Sequence, residues 1–145
     1  MYHFKLQALL DHHHRQEEFC QKELADAQRE LTDAQQKLKC LKKDKGENIQ
    51  KLQARQEGRH HISDVLIFID YIRQLSRDIK AQVQQVDSAS ENVTHKRNNL
   101  IAIMKKRKTL EKLKEKEWLE YQKKMLQAER KFNDEVAAGR HIRKV

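Results

Sequence analysis

Proline is absent from this chain, glycine occurs three times in 145 residues, and aromatic residues make up only 6%. Each shortage excludes something. Without proline nothing forces a helix to break, and three scattered glycines cannot form a glycine-rich phosphate loop. So few large apolar residues argue against a globular core, while a disordered tail would carry the proline and glycine that are missing here. Long helix is what remains. No run of eighteen apolar residues exists; the longest apolar patch is Val65-Leu66-Ile67-Phe68-Ile69, far too short to span a bilayer. The opening Met1-Tyr2-His3-Phe4-Lys5-Leu6 lacks the features of a secretory signal, which predicts a cytoplasmic protein. The two cysteines, Cys20 and Cys40, would lie roughly 30 Å apart along one helix at 1.5 Å per residue and cannot pair within it. Both are expected as buried seam thiols.

What is present is periodic. Cys20, Leu24, Ala27, Leu31, Ala34, Leu38 and Leu41 follow a 3,4 spacing that resumes weakly at Leu52, the pattern of a supercoiled helix. Extended backwards it meets Leu6, Leu10, His13 and Glu17, and forwards Lys45 and Asn48, so the seam frays on both sides. A second seam places Val65, Ile72, Ile79, Val86, Val93 and Leu100 seven residues apart, with Phe68, Leu75, Ala89, Ile103 and Leu110 on the flanking positions and Gln82 and Lys96 as interruptions. Of Gly46, Gly58 and Gly139, only Gly58 stands where the pattern changes. Ser63-Asp64 suits a helix start. The spacing therefore predicts an all-α chain: one hairpin over residues 1–145, a helix over about 3–57, a turn over about 58–62 and a helix over about 63–140. The connection is short, so the helices form an antiparallel coiled coil. The second helix is longer, about 120 Å against about 80 Å, and residue 3 would lie opposite about residue 116. Beyond that point a C-terminal overhang carries Trp118, Tyr121, Met125, Ala128 and Phe132 at 3,4 spacing. This stripe either meets a partner or another copy, or packs back on Tyr2, Phe4 and Leu6.

Charge is as uneven as length. Residues 1–93 hold 15 basic and 15 acidic side chains, residues 94–145 hold 16 and 7, so the whole net charge of +9 belongs to the second part. Its run Lys105-Lys106-Arg107-Lys108 points all round a helix. Such a segment can bind nucleic acid, an anionic membrane or an acidic protein surface, or merely keep a coiled coil solvated. Glutamates alternate with the lysines in Leu110-Glu111-Lys112-Leu113-Lys114-Glu115-Lys116-Glu117, which suits intrahelical ion pairs, Glu111 with Lys108 and Lys114, better than a phosphate-tracking stripe. No nucleic acid is expected.

Enzymatic readings lack their residues. There is no Cys-x-x-Cys, and two helices alone make no pocket that could gather a serine, a histidine and an acid. His12-His13-His14 and His60-His61 suggest a metal, but consecutive side chains on a helix splay by about 100°, and a helical site needs i,i+4 spacing. No catalytic residue, metal or cofactor is expected.

Three segments resemble the FliJ family of the flagellar type III export apparatus, related to the YscO stalk proteins. They are Tyr2-His3-Phe4-Lys5-Leu6-Gln7-Ala8-Leu9-Leu10 with Arg15-Gln16-Glu17-Glu18; Phe68-Ile69-Asp70-Tyr71-Ile72-Arg73-Gln74-Leu75 leading to Ile79; and Leu110-Glu111-Lys112-Leu113-Lys114-Glu115-Lys116, Tyr121, then Glu129-Arg130-Lys131-Phe132-Asn133-Asp134-Glu135-Val136-Ala137. The resemblance implies a non-enzymatic export component, cytoplasmic and peripheral on the inner face of the membrane at the flagellar base. Its fold would be similar to the stalk of rotary ATP synthases. Implied partners are the hexameric export ATPase FliI, its companion FliH, the cytoplasmic domain of the gate protein FlhA, and export chaperones released from cargo. By the stalk analogy, ATPase contact falls on Leu110, Leu113, Trp118, Tyr121, Glu129, Asp134 and Glu135. Gate contact, carried over by position, falls on Leu41, Tyr71, Leu75, Asp78 and Gln82. Asp44 and Asn48 stand where members of the family can carry tyrosines.

Overall fold

The computed structural model describes residues 1–58 and 61–144. Two helices account for nearly all of them, α1 over Gln7–Gln56 and α2 over Ile62–Lys144. They pack against each other as an antiparallel hairpin, and among the described residues there is no strand. Gly46 and Gly139 lie inside helices, so Gly58 alone coincides with a helix end. Of the expected turn, Arg59 and His60 lie outside the described residues.

The helix ends have local causes. α1 begins later than the expected residue 3, because residues 1–4 leave the helical path and the Phe4 carbonyl accepts the Gln7 N–H at 3.1 Å. Phe4 is only 4% exposed, and burying that ring fixes the entry. At the other end the Gly58 N–H donates to the Arg55 carbonyl at 3.3 Å, a tighter closure that ends the helix. α2 starts with His61, whose carbonyl accepts from Asp64 N–H at 3.1 Å and Val65 N–H at 3.5 Å. Ser63 and Asp64 thus lie in the first turn instead of preceding it, where the Asp64 carboxylate suits the positive helix end.

Contacts divide the chain into two units, Phe19–Leu100 and Met1–Glu18 with Ile101–Val145. Within the first, Ala27, Leu75 and Val93 are buried. Lys96 reaches Glu23 at 3.4 Å, Gln82 donates to the Ala34 carbonyl at 3.0 Å, and the Arg55 guanidinium lies 4.5 Å from the Phe68 ring centre. Partner numbers fall on α2 as they rise on α1, the mark of antiparallel pairing. Within the second unit, Phe4 and Leu10 form the core, and Lys114 donates to Gln7 Oε1 at 2.7 Å.

A two-helix packing has a single seam, so each seam residue keeps one flank towards water; among the described residues no side chain falls below 2% exposure. The expected seam positions are the buried and half-buried ones, except Leu6 at the frayed N-terminal end. Gln82 and Lys96 are no breaks in that seam, since both face α1 and bond to it. Cys20 is half-buried, whereas Cys40 is exposed, against the expectation of two buried thiols. Cys40 precedes the seam residue Leu41 by one position, about 100° away around the helix.

Candidate interaction surfaces

The most connected polar cluster lies in the unit of residues 1–18 and 101–145. Arg107 falls seven residues after Leu100 and Glu17 falls on the frayed backward extension of the first seam, so both helices present a charge to their shared interface. The Arg107 guanidinium pairs with the Glu17 carboxylate through Nε, an ion contact without hydrogen-bond direction. Its Nη1 donates to both Glu111 oxygens at 2.9 Å, and His14 Nε2 stands 3.6 Å from the same carboxylate. The Glu111 carboxylate, then that of Glu17, holds the Arg107 pKa above its usual range against the opposing effect of burial. Glu111 thus takes Arg107 as its i,i+4 partner in place of the expected Lys108 and Lys114; Lys114 faces Gln7 instead. The signal for this network was an acid and a base at seam positions, where apolar residues belong.

Beside it lies an aromatic cluster. The Tyr2 ring packs edge-on to Trp118 at 5.2 Å and lies 5.4 Å from Tyr121, while Trp118 and Tyr121 stack at 5.9 Å. The Tyr2 hydroxyl donates to the Lys114 carbonyl at 3.3 Å. Burial, and secondarily the Glu117 carboxylate, raise the Tyr2 pKa. The first two residues of the overhang stripe therefore do pack back on the N-terminus, through Tyr2. Leu6 does not join them and stays 39% exposed.

From Gln122 to Ala138 every residue of α2 is exposed. Met125, Phe132 and Val136 continue the stripe with nothing over them, Phe132 at 65% exposure. Of the residues assigned to ATPase contact, Glu129, Asp134 and Glu135 lie on this bare segment. Leu110 is half-buried in a groove with Leu9, Leu113 is exposed, and Trp118 and Tyr121 belong to the aromatic cluster.

The residues assigned to gate contact split in two. Leu75 is 4% and Gln82 7% exposed, because both occupy seam positions facing α1. Both are turned towards α1, and Leu75→Asp would damage the packing itself. Tyr71 is exposed, and Leu41 and Asp78 line a groove of about 410 Å³ together with Gln82 and Lys37. Of the histidine clusters, His13 Nδ1 lies 3.1 Å from Gln16 Oε1 and His14 faces Glu111, so neighbouring rings take different partners. His60 lies outside the described residues.

The family model described as Flagellar FliJ protein matches residues 2–145. The chain belongs to the FliJ family. No curated protein and no solved structure matches it. Membership makes this FliJ-family chain a component of the flagellar type III export apparatus, working in protein transport and motility. Among the described residues no helix is long and apolar enough to cross a membrane.

Proposed function

We propose that this FliJ-family chain is the stalk-like coiled coil of the export machinery, binding the hexameric ATPase FliI through the C-terminal part of α2. One observation carries the reading: α2 continues past Tyr121 with an uncovered row of Met125, Phe132 and Val136, a cost in exposed apolar area that a monomer does not repay unless something docks there. By helical spacing Glu129 lies on the same face as the row and Glu135 beside it, whereas Asp134 lies on the opposite side of the helix. Gate contact with the cytoplasmic domain of FlhA is assigned to the exposed Tyr71 and to the groove of Leu41 and Asp78, with Leu75 and Gln82 holding the helices that present them. Capture of emptied export chaperones and proximity to FliH complete the role, which is non-enzymatic and peripheral at the inner membrane face.

ATP hydrolysis by the cognate export ATPase, measured with and without the protein, tests the reading. Stimulation is expected with the intact chain. Met125→Asp with Phe132→Asp should abolish it while helicity is retained, since both side chains stand clear of the packing. Unchanged stimulation by the double variant removes the contact from this segment. A concentration-dependent dimer that the same variant dissolves, with no ATPase effect from either protein, would instead make the row a self-association surface.

A further inference from the structure

The run Lys105-Lys106-Arg107-Lys108 is divided by the packing. Arg107 is neutralised in the seam by Glu17 and Glu111, whereas Lys105 and Lys106 take part in no ion pair among the described residues. These two lysines border a groove of about 340 Å³ in the unit of residues 1–18 and 101–145, lined by Leu9, His13, Lys105, Lys106, Thr109 and Leu110. None of the six is acidic. The groove lined by Tyr2, His14, Glu111 and Glu115 in the same unit carries charge of both signs, and the groove of Lys39 and Lys43 in the other unit, also without an acid, has no leucine in its lining. The floor of the Lys105 groove is apolar. Leu9 is 43% exposed, and helical spacing sets Leu113 of α2, 37% exposed, one turn on from Leu110.

We infer that this groove docks an acidic amphipathic helix of a partner protein, its leucine-type side chains on Leu9 and Leu110 and its carboxylates at Lys105 and Lys106. Charge complementarity selects the occupant: unpaired ammonium groups beside an apolar trough call for a ligand that is apolar along one face and anionic along its border. Nucleic acid would use the lysines but leave the leucines idle, and the lining has no phenylalanine, tyrosine or tryptophan for bases to stack on. A flat membrane surface meets a trough between two helices less well than a rod does. The inference goes beyond the ATPase contact proposed for the bare segment of α2, sharing only Leu110 and its neighbour Leu113 with that assignment.

The test is a fluorescence-anisotropy titration of the full-length protein with a labelled amphipathic peptide of about twenty residues, leucines on one face and glutamates beside them. Binding is expected, weakening steeply with salt. A peptide with lysine in place of glutamate should not bind. Lys105→Glu with Lys106→Glu should reduce affinity by about tenfold or more, and Leu9→Ser should weaken it at high salt, where the apolar floor remains. Both lysines are exposed and unpaired, so circular dichroism should be unchanged. Met125→Asp with Phe132→Asp should leave peptide binding intact, which separates this groove from the ATPase contact. Equal affinity of the lysine-reversed variant overturns the proposal. So does binding to vesicles of equal phosphatidylglycerol and phosphatidylcholine without binding to the peptide, which would make the groove a lipid site.

Discussion

Arg107 stands inside a four-residue basic run, yet it is the one member of that run whose charge is used up within the fold. A buried carboxylate left without its cation costs more than the pair contributes, because the desolvation of Glu17 is then uncompensated. Arg107→Met is therefore expected to lower the chemical denaturation midpoint, and Arg107→Met with Glu17→Leu should recover most of that loss; additive losses in this double-mutant cycle would show that the two side chains do not interact. Tyr2 offers a second residue-level test. Its folded pKa is raised, so the neutral phenol is favoured in the packed state. Stability from this contact is fully present below the unfolded pKa of about 10 and is lost as pH rises from there through the folded value. Trp118, the single tryptophan, touches the Tyr2 ring. Its emission should shift to the red above about pH 10 in the native protein, and shift less in Tyr2→Phe, whose ring cannot ionise. An identical shift in both would assign the change to other groups.

At the scale of the helices, a 3,4 repeat specifies that two surfaces meet but leaves the register among heptads weakly determined. Polar seam residues supply the rest: Gln82 at the Ala34 carbonyl, Lys96 at Glu23, Arg107 at Glu17 and Lys114 at Gln7. The Ala34 carbonyl can keep its place in the helical ladder without Gln82, so removing that side chain leaves no orphan acceptor. Gln82→Leu is thus expected to stabilise the protein by about 1 kcal/mol, read as a higher urea midpoint; a lower midpoint would show that the bond outweighs the apolar gain. The C-terminal part of α2 has the opposite character, helical with no tertiary support. Helical stability in proteins comes mostly from tertiary packing, so amide hydrogen exchange should become markedly faster from Gln122 onward than over residues 101–118. Equal protection at any protein concentration would mean that the segment is covered by the rest of its own chain.

For the molecule as a whole, shallow burial along a two-helix seam and a net charge of +9 leave much of the side-chain surface open to water, and the chain's place is in an export apparatus. Several properties were legible from the order of residues alone: two helices, one reversal near Gly58, unequal arms, the seam positions, the bare apolar row and the concentration of basic charge after residue 93. Periodicity, turn chemistry and composition are local, and an amphipathic helix must bury the face its own spacing defines. Other properties required the fold. Leu75 and Gln82 share a helical face with Tyr71 and Asp78; the repeat already set Leu75 on the seam, but only the opposing helix makes Gln82 a seam residue while Tyr71 stays exposed. Trp118 and Tyr121 looked as free as Met125 and Phe132 until the N-terminal segment turned Tyr2 onto them. Which member of a basic run is spent on a glutamate likewise depends on what lies opposite. Tyr2 and Lys114 are separated by 112 residues, Lys96 and Glu23 by 73, and no local pattern encodes which of many equivalent turns will face each other. The sequence by itself determined the helices and the faces they must bury; the tertiary pairing decided which charges are neutralised and which surfaces are left for partners, because electrostatic and packing energies depend on distances that only the folded chain brings about.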